Sequence, residues 1–455
     1  MSPRGLIVAA AASHSGKTTI TLGLIAALRS RGLKVAAAKC GPDYIDPKFL
    51  EAASGAPAIN LDPWAMSPGV LHDRLKRQGE GADIVVVEGV MGLYDGGPGG
   101  AGSTASLAAL TGLPVLLVVG AEGTAQSAAA IAEGCARLAD GVRVVGAIVN
   151  QVASERHAAL IQEGFERTSV SLLGLVRRDA AVSLPSRHLG LVQAEEHKDL
   201  TRKIARLGEL VGEGCEVQAI ISAAHSLPPC GGETERGEER GRSLHPSHLP
   251  DPPPQGGRGV MPFGQRIAVA RDVAFAFAYP HLMQDWRDAG AAISFFSPLA
   301  DEAPAADADA VFLPGGYPEL HVGRIAGAEK FRAGMHTSVE RGALIYGECG
   351  GYMVLGDSLG DADGAEHPML GLLRLTTSFR RRMLHLGYRR LRPLGDLPWK
   401  TPLTAHEFHF ARIVSEGDGD PLFEAESVDG EPLGPIGLRR GRVMGSFAHV
   451  IDRGK

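Results

Sequence analysis

Short, continuous apolar segments recur through the first half of the chain, and stretches with helical periodicity separate them. Five of these segments are predicted to be strands: residues 5–10, 34–39, 83–89, 114–120 and 142–150. Strands that are apolar on both faces are typical of parallel sheets with helices on each side. Helices are predicted from Lys17 onwards and at 124–139, 154–168 and 194–213. The alternation predicts an α/β fold with an N-terminal doubly wound parallel sheet.

The composition changes abruptly at residues 222–263, which are rich in Pro, Gly, Ser and charged residues. Such a segment is typical of a linker. Further apolar segments then predict strands at 266–270, 291–296, 310–316 and 342–348. We therefore predict a first domain at 1–221, a linker at 222–263 and a second α/β domain at 264–455, and a chain of 455 residues agrees with more than one core.

Charge and cysteine content exclude several classes of protein. The net charge of −6 argues against a nucleic-acid-binding protein, and no segment approaches the ~20 apolar residues of a membrane span. The five cysteines are odd in number and form no C-x-x-C pair, which argues against a disulfide framework or a zinc ribbon. The short N-terminal apolar run leads directly into a loop motif and not into a cleavage site. The predicted location is the cytoplasm.

The segment "SHSGKTT" lies between the first strand and the first helix. It matches most of the G-x-x-x-x-G-K-[ST] loop, whose backbone N–H groups and lysine bind the phosphates of a nucleotide, although Ala11 replaces the first glycine. The alternative is an ordinary helix N-terminus with a surface lysine. The predicted ATP-binding residues of the loop are Ser15, Gly16, Lys17, Thr18 and Thr19.

Acidic residues follow the second and third predicted strands. Glu88 ends the third strand, Asp43 and Asp46 lie in the loop after the second, and Asp95 lies a few residues beyond Glu88. The carboxyl ends of parallel strands meet at one edge of a sheet, and Mg²⁺ prefers oxygen ligands. The sequence therefore predicts shared chemistry near Lys17. The alternative for each aspartate is turn formation beside Pro and Gly.

Four segments together, "SHSGKTT", "KCGPDYIDPKFL", "EGVMGLYDG" and "SRHLGL", resemble the corrin a,c-diamide synthase family over nearly the whole chain outside the linker. The N-terminal domain of that family is similar to dethiobiotin synthetase. The resemblance implies that Lys17 binds phosphate, that Thr18, Asp43 and Glu88 ligate Mg²⁺, and that Asn150 contacts the adenine. For Asn150 the alternative is a helix N-cap.

The resemblance also implies roles around the acceptor carboxylate. Asp46 and Asp95 are expected beside the group being activated. A corrin polycarboxylate needs local cations in a protein that is acidic overall, since bidentate arginine contacts suit carboxylates. The predicted substrate-binding residues are Tyr44, Arg187, His188 and Arg380, the last within the run "RRR". The alternative for that run is a solvated charged face.

The segment "YGECGG" places Cys349 between glycines after a predicted strand. A nucleophile elbow has this G-x-nucleophile-x-G form, because the sharp turn needs residues without side chains. A free cysteine is otherwise most often a small core residue, and that interpretation is kept for the other four cysteines. A thiol also needs a base, and His449 is the candidate. The alternative for His449 is a core histidine.

This second domain resembles the flavodoxin-like class I glutamine amidotransferases, in which a cysteine and a histidine hydrolyse glutamine through a thioester. The resemblance implies an oxyanion hole formed by the N–H groups of Gly316, within "LPGGYPE", and Gly350. Many members carry Glu two residues after the histidine, where this chain has Ile451. The segment "HEFHF" offers His406, Glu407 and His409 for the glutamine site or a domain contact, and the alternative is a strand with alternating polar residues.

Together the two motifs predict an ATP- and glutamine-dependent amidoligase. Phosphorylation activates a carboxylate, and ammonia released at Cys349 attacks it. The family resemblance implies amidation of the a and c acetate side chains of hydrogenobyrinic acid in cobalamin biosynthesis, with cobyrinic acid or nickel-sirohydrochlorin as alternative acceptors. The predicted partners are the corrin polycarboxylate, L-glutamine and ATP, without nucleic acid or membrane, in an assembly compatible with a homodimer. A different class is a partitioning-type ATPase switch with a non-catalytic second half, but such proteins carry a lysine where this chain has Ala12.

Overall fold

The computed structural model describes residues 3–138, 141–187, 190–227 and 259–454. Its α-helices, numbered in chain order from α1 to α12, are Lys17–Ser30, Asp46–Ser54, Pro68–Gly79, Thr104–Thr111, Ser127–Arg137, Glu155–Phe165, Leu200–Gly214, Val217–Ala223, Pro280–Asp288, Val322–Ala326, Glu329–Glu340 and Gly350–Leu355.

Its β-strands fall into a series before residue 228 and a series after residue 258. The first series, β1 to β10, is Arg4–Ala10, Val35–Cys40, Ile59–Leu61, Ile84–Glu88, Val115–Gly120, Val144–Val152, Leu172–Arg177, Ser186–Arg187, Gly190–Leu191 and His225–Ser226. The second series, β11 to β24, is Arg266–Ala270, Ala292–Phe296, Ala310–Leu313, Leu344–Glu348, Ser358–Gly360, Glu366–Pro368, Leu375–Ser378, His385–Pro393, Leu403–His409, Arg412–Glu416, Asp420–Glu426, Pro432–Arg440, Val443–Ser446 and His449–Arg453.

The N-terminal sheet has the strand order β3-β2-β4-β1-β5-β6-β7, and these strands run parallel. β10 adds one short antiparallel pairing to the start of β1. β2 and β4 are buried along their whole length, as their continuous apolar sequences predict. The loops after β1, β2 and β4 therefore meet at the carboxyl edge of the sheet. This edge includes the topological switch point, because β4 and β5 lie on opposite sides of β1. The predicted doubly wound fold is confirmed.

The C-terminal sheet has the strand order β12-β11-β13-β14-β23-β22-β21-β18-β19-β24. Its first five strands are parallel, in agreement with the predicted α/β class. The remaining strands pair antiparallel, and this extension was not part of the prediction. A separate four-stranded sheet, β16-β15-β17-β20, lies beyond α12. The antiparallel extension carries His449 at the start of β24.

The two halves of the chain share a buried contact. Arg74, on α3, is 2% exposed and lies 2.7 Å from Asp285 and 3.4 Å from Asp452. Trp64 stacks on Tyr388 with ring centroids 4.3 Å apart. Removing one partner of a buried ion pair typically costs about 3–5 kcal/mol, because the other charge is left without compensation. The contact therefore fixes the second sheet relative to the first.

Both ends of the predicted linker belong to folded elements. α8 extends to Ala223 and β10 follows it, while Phe263 packs edge-on against Trp286 and Phe312. Residues 228–258 lie outside the described residues. Among the described residues, no helix combines the length and the apolar character that crossing a membrane requires.

Candidate active site

The phosphate-binding loop predicted from "SHSGKTT" joins β1 to α1. Gly16 precedes α1 with a φ of 83°, a left-handed conformation that favours glycine. A Cβ atom at this position would lie 2.0 Å from Asn150 Nδ2, so a side chain would collide there. Asn150 Nδ2 donates to the backbone oxygen of Ser15 at 3.1 Å. The loop therefore packs against β6, which contains Asn150.

The N-cap alternative for Asn150 is wrong, because Ser154 precedes α6 and its hydroxyl accepts from the N–H of His157.

Lys17 and Thr18 begin α1 and face the loop after β4. Lys17 Nζ donates to the backbone oxygen of Met91 at 2.9 Å, and Thr18 Oγ1 donates to Glu88 Oε1 at 2.6 Å. Burial, reinforced by nearby Lys39, lowers the pKa of Lys17 to about 8. An anionic phosphate beside the lysine would reverse this effect, since an opposite charge favours the protonated form. Thr19 lies half-buried on the first turn.

Lys39 is a member of this centre that the sequence analysis missed. It is 2% exposed on β2, and its Nζ contacts Asp46 Oδ2 at 2.5 Å and Glu88 Oε1 at 3.1 Å. Burial alone would lower its pKa, but Asp46 and Glu88 outweigh burial and raise the pKa above its ordinary value. Lys39 is therefore a fixed cation between the two carboxylates. The sequence signal is a single lysine near the carboxyl end of an otherwise apolar strand.

Asp43 and Glu88 provide oxygens beside this cation. Asp43 Oδ1 accepts from the N–H groups of Ile45 and Asp46 at 2.8 and 2.9 Å. This oxygen therefore stabilises a turn, which is the alternative role given above for Asp43. Burial and then Asp46 raise the pKa of Asp43 to about 6, and burial raises that of Glu88. Glu88 Oε2 is buried, and no described residue is its hydrogen-bond partner. Carboxylate and hydroxyl oxygens with an unsatisfied acceptor fit the ligand preference of Mg²⁺.

Asp95 lies in the exposed part of the loop after β4, where its Oδ2 accepts from the N–H of Gly92 at 2.9 Å. The contact between Lys17 and Met91 places this loop against the phosphate-binding loop. The structure therefore brings the predicted acidic residues to the same edge of the sheet.

The cysteine of "YGECGG" occupies a sharp turn between β14 and α12. Cys349 has a φ of 48° and is 1% exposed. Such a positive φ is strained for a residue with a side chain, and this strain is a feature of nucleophile elbows. Burial, reinforced by nearby Glu319, raises the pKa of the thiol well above its usual value, and the N–H of Gly350 offsets part of this. The thiol is therefore protonated at rest.

His449 is fully buried at the start of β24. Burial, followed by the nearby imidazoles of His406 and His409, lowers its pKa to about 3. A Cβ atom on Gly315 would lie 3.0 Å from His449 Nε2 and 3.1 Å from Cys349 Cβ. His449 Nε2 and Cys349 Cβ therefore border the same small space, and a neutral imidazole can act as a base for a thiol there.

The predicted oxyanion-hole residues adjoin the cysteine. A Cβ atom on Gly350 would lie 3.1 Å from the backbone nitrogen of Gly316. A Cβ atom on Gly316 would lie 2.1 Å from the backbone oxygen of Ala274, so a side chain is excluded at this position. The two glycines leave backbone N–H groups close to the elbow, as an oxyanion hole requires.

Tyr44 connects the two centres. It lies one residue after Asp43, and its ring centroid is 4.3 Å from that of His449. The ring also stacks on Phe277 at 5.2 Å, and the hydroxyl lies 3.4 Å from His406 Nδ1. A single loop of the first domain therefore contributes an acidic residue to one centre and an aromatic ring to the other.

The segment "HEFHF" forms the end of β19, next to β24, with its last residue just beyond the strand. Glu407 contacts Arg389 at 2.7 Å and His409 Nε2 at 2.9 Å. Although burial raises the pKa of Glu407, His409 and Arg389 lower it to about 2. His406 contacts Tyr44, so this segment takes part in the domain contact.

In the described part of the chain, none of the predicted corrin-binding cations belongs to the two clusters above. The side chain of Arg187 and all of His188 lie outside the described residues. Arg380 lies on an exposed segment after β17, where its backbone N–H donates to Ser378 Oγ. Their substrate-binding roles stay predictions.

Comparison with known proteins identifies both domains. Residues 6–192 match the CobQ/CobB/MinD/ParA nucleotide binding domain, and residues 266–455 match the CobB/CobQ-like glutamine amidotransferase domain. Proteins named hydrogenobyrinate a,c-diamide synthase are similar over nearly the full chain. The one from a Sinorhizobium species is 50% identical and covers 98% of both chains, and the one from Brucella suis is 51% identical over 99% of this chain and 98% of its own. The one from Mesorhizobium japonicum is 44% identical over 100% and 99%.

The resemblance stated from the sequence motifs is thereby confirmed. The chain belongs to the hydrogenobyrinate a,c-diamide synthase family, with a nucleotide-binding domain followed by a glutamine amidotransferase domain.

Proposed function

We propose that this protein uses ATP and glutamine to amidate the a and c acetate carboxylates of hydrogenobyrinic acid. The contact between Tyr44 and His449 is the observation that supports the proposal most directly, since Tyr44 follows Asp43 in the chain and its ring centroid lies 4.3 Å from that of His449. Ammonia in neutral water is mostly ammonium, which has no lone pair for attack. A short internal route between the centres avoids that loss.

At the ATP centre, Lys17 and the N–H groups of the loop bind the phosphates, and Asn150 contacts the base. Thr18, Asp43 and Glu88 would hold Mg²⁺, which would neutralise phosphate charge and orient the γ-phosphoryl group. Lys39 holds Asp46 and Glu88 in place and offsets their charge beside the incoming phosphates. The acceptor carboxylate attacks the γ-phosphorus, and ADP leaves. Asp46 and Asp95 lie at the edge where that acceptor binds.

At the glutamine centre, His449 Nε2 takes the thiol proton as the sulfur of Cys349 attacks the side-chain amide carbon of glutamine. The N–H groups of Gly316 and Gly350 stabilise the oxyanion. The C–N bond then breaks, ammonia leaves with the proton from His449, and water hydrolyses the thioester to glutamate. Ammonia next attacks the acyl phosphate, which releases phosphate and forms the amide.

Two variants test the division of labour. Cys349→Ala is expected to abolish glutamine-driven amidation and to keep ammonia-driven amidation, whereas Lys17→Ala is expected to abolish both. Loss of both activities in Cys349→Ala, or full activity in Lys17→Ala, would contradict the proposal. The assay follows the mass of the corrin product with ATP, Mg²⁺ and either nitrogen source.

The same mass assay identifies the acceptor. Hydrogenobyrinic acid, cobyrinic acid and nickel-sirohydrochlorin are offered separately, and two amidations are expected with hydrogenobyrinic acid. The name of the full-length relatives favours this acceptor. The strained elbow at Cys349 gives no support to the alternative of a non-catalytic second half. The cytoplasmic location and the homodimer stay predictions from the sequence.

A further inference from the structure

The catalytic histidine lacks its usual carboxylate partner in the sequence. Ile451, two residues after His449, is fully buried and apolar, so it cannot accept a hydrogen bond from the imidazole. A base in a nucleophile–histidine pair works best when a third group fixes the ring and its tautomer. Some other group near Nδ1 has to fill that role if the ring is to be oriented.

Glu348 lies beside this nitrogen. It is the last residue of β14, directly before Cys349, and is 2% exposed. Its Oε2 is 3.7 Å from His449 Nδ1. Its Oε1 accepts from the hydroxyl of Tyr346 at 3.1 Å and from the backbone N–H of Val450 at 3.0 Å. One oxygen is thus held by two donors, and the other faces the ring.

We propose that Glu348 is the positioning residue of the glutaminase centre and replaces the carboxylate absent at Ile451. It accepts a hydrogen bond from Nδ1–H of His449, which leaves the Nε2 lone pair directed at the thiol. When Nε2 takes the thiol proton, the carboxylate stabilises the imidazolium. The same proton later leaves on ammonia, so the Nδ1 proton stays in place throughout.

The distance of 3.7 Å is longer than a hydrogen bond. Catalytic hydrogen bonds are often long without substrate and shorten in the Michaelis complex. Neither nitrogen of His449 makes a hydrogen bond to a side chain in the described part of the chain, although the backbone of Phe277 offsets a small part of the lowered pKa of the ring. We expect a small shift of the ring to close the distance to Glu348 when glutamine binds.

The surroundings of Glu348 set its charge. The titratable groups that face it are the phenols of Tyr346 and Tyr44, the imidazole of His449 and the thiol of Cys349. Burial raises the pKa of Glu348 to about 8, and the hydrogen bonds from Val450 and Tyr346 offset part of that rise. The carboxylate form, which alone supplies the negative charge that stabilises the imidazolium, therefore becomes more populated as the pH rises through 8. We expect glutamine-driven activity to follow this rise.

Glu348→Gln separates positioning from a structural role, because a glutamine oxygen still accepts from Tyr346 and Val450 but carries no charge. The inference depends on the glutaminase half of the proposed function. We expect kcat for glutamine hydrolysis to fall on the order of 10²- to 10⁴-fold, with little change in KM for glutamine. We also expect the dependence on pH near 8 to disappear, while ammonia-driven amidation is unchanged. Tyr346→Phe, which keeps the ionisable carboxyl group and removes one of its donors, is the matched control: it should retain most activity above pH 8 and keep the dependence on pH, shifted upward.

Alkylation of Cys349 by iodoacetamide, followed against pH, supplies a second measurement without turnover. In Glu348→Gln the alkylation rate at pH 8 should fall below that of the wild-type protein. Wild-type kcat and alkylation in Glu348→Gln, or equal loss of glutamine- and ammonia-driven activity, would overturn the inference. Glutamine-driven activity in Cys349→Ala, measured in the same series, would instead overturn the proposed function.

Discussion

The two centres differ in how their reactive groups are charged. In the ATP centre, Lys39 contacts Asp46 and Glu88 directly, so cation and anions are paired before any substrate arrives. In the glutaminase centre, burial keeps Cys349 protonated and His449 neutral. The first centre is therefore electrostatically preorganised, which is a general source of catalytic power. In the proposed mechanism, the second acquires charge only when the thiol proton moves to the imidazole.

This difference has a functional consequence. A thiolate that existed permanently would hydrolyse glutamine whether or not an acceptor had been phosphorylated. A neutral pair limits that waste, because ion-pair formation in a buried site needs further stabilisation from bound glutamine or from a change in the surrounding residues. Substitutions that act on only one of the two centres can test the contrast.

Among the substitutions that test this contrast, the largest effect is expected for Lys39→Met, which removes the cation shared by Asp46 and Glu88. Amidation should fall about 10²- to 10³-fold with either nitrogen source, the range observed when one preorganised electrostatic group is deleted. Lys48→Met, on the partly exposed pair with Glu51, is the control and should be close to wild type. Glutamine- and ammonia-driven rates are measured with saturating ATP. A loss confined to glutamine would contradict the assignment of Lys39 to the ATP centre.

A smaller effect is expected for Gly315→Ala, which acts on the neutral pair. The added methyl group would lie 2.4 Å from His449 Cε1, so the ring has to move. A displacement near 1 Å in an active site can cost about 10²-fold, and we expect that loss for glutamine hydrolysis alone. Gly323→Ala is the control, because nothing lies within 4 Å of a Cβ atom there. Release of glutamate is the measurement, and an equal loss of ammonia-driven amidation would contradict the prediction.

Most parallel strands of both sheets were predictable from the sequence because they are continuous apolar runs, but the parallel strands β3, β7 and β23 were not predicted. The antiparallel extension was not predicted either. β18 is mostly half-buried or exposed and contains three arginines, and β20 is exposed along its length. Such strands show no continuous apolar run, and their pairing is determined by partners that are distant in the chain. Sequence patterning detects burial on two faces better than it detects position at a sheet edge.

The candidate site shows the same division. Gly16 and Cys349 could be predicted from short sequence motifs. Each lies in a tight backbone turn, and such a turn requires glycine at the position itself or next to it. Lys39 was missed because its role depends on Glu88, its partner in the register between β2 and β4. The contact of Tyr44 with His449 joins residues from opposite ends of the chain, and no local pattern reports it. Interactions of this kind arise only from packing between elements.

The smallest effect is expected at Tyr44, where the two centres meet. Tyr44→Leu removes the ring that covers His449, so the glutaminase should lose part of its dependence on the state of the ATP centre. Couplings between sites are typically 5- to 150-fold, and we expect glutamate released per amide formed to rise about tenfold.

Tyr44→Phe is the matched control, because it keeps the ring against His449 and loses only the hydroxyl near His406. Glutamate and the corrin amide are quantified in the same reaction with and without ATP. An unchanged ratio in Tyr44→Leu would mean that the ring fills space without coupling the centres. A tenfold rise in Tyr44→Phe as well would assign the coupling to the hydroxyl and its contact with His406. A rise in Tyr44→Leu alone would locate the coupling in the aromatic contact. Both variants leave the charged residues of the ATP centre in place, but only Tyr44→Leu removes the ring that covers the neutral His449.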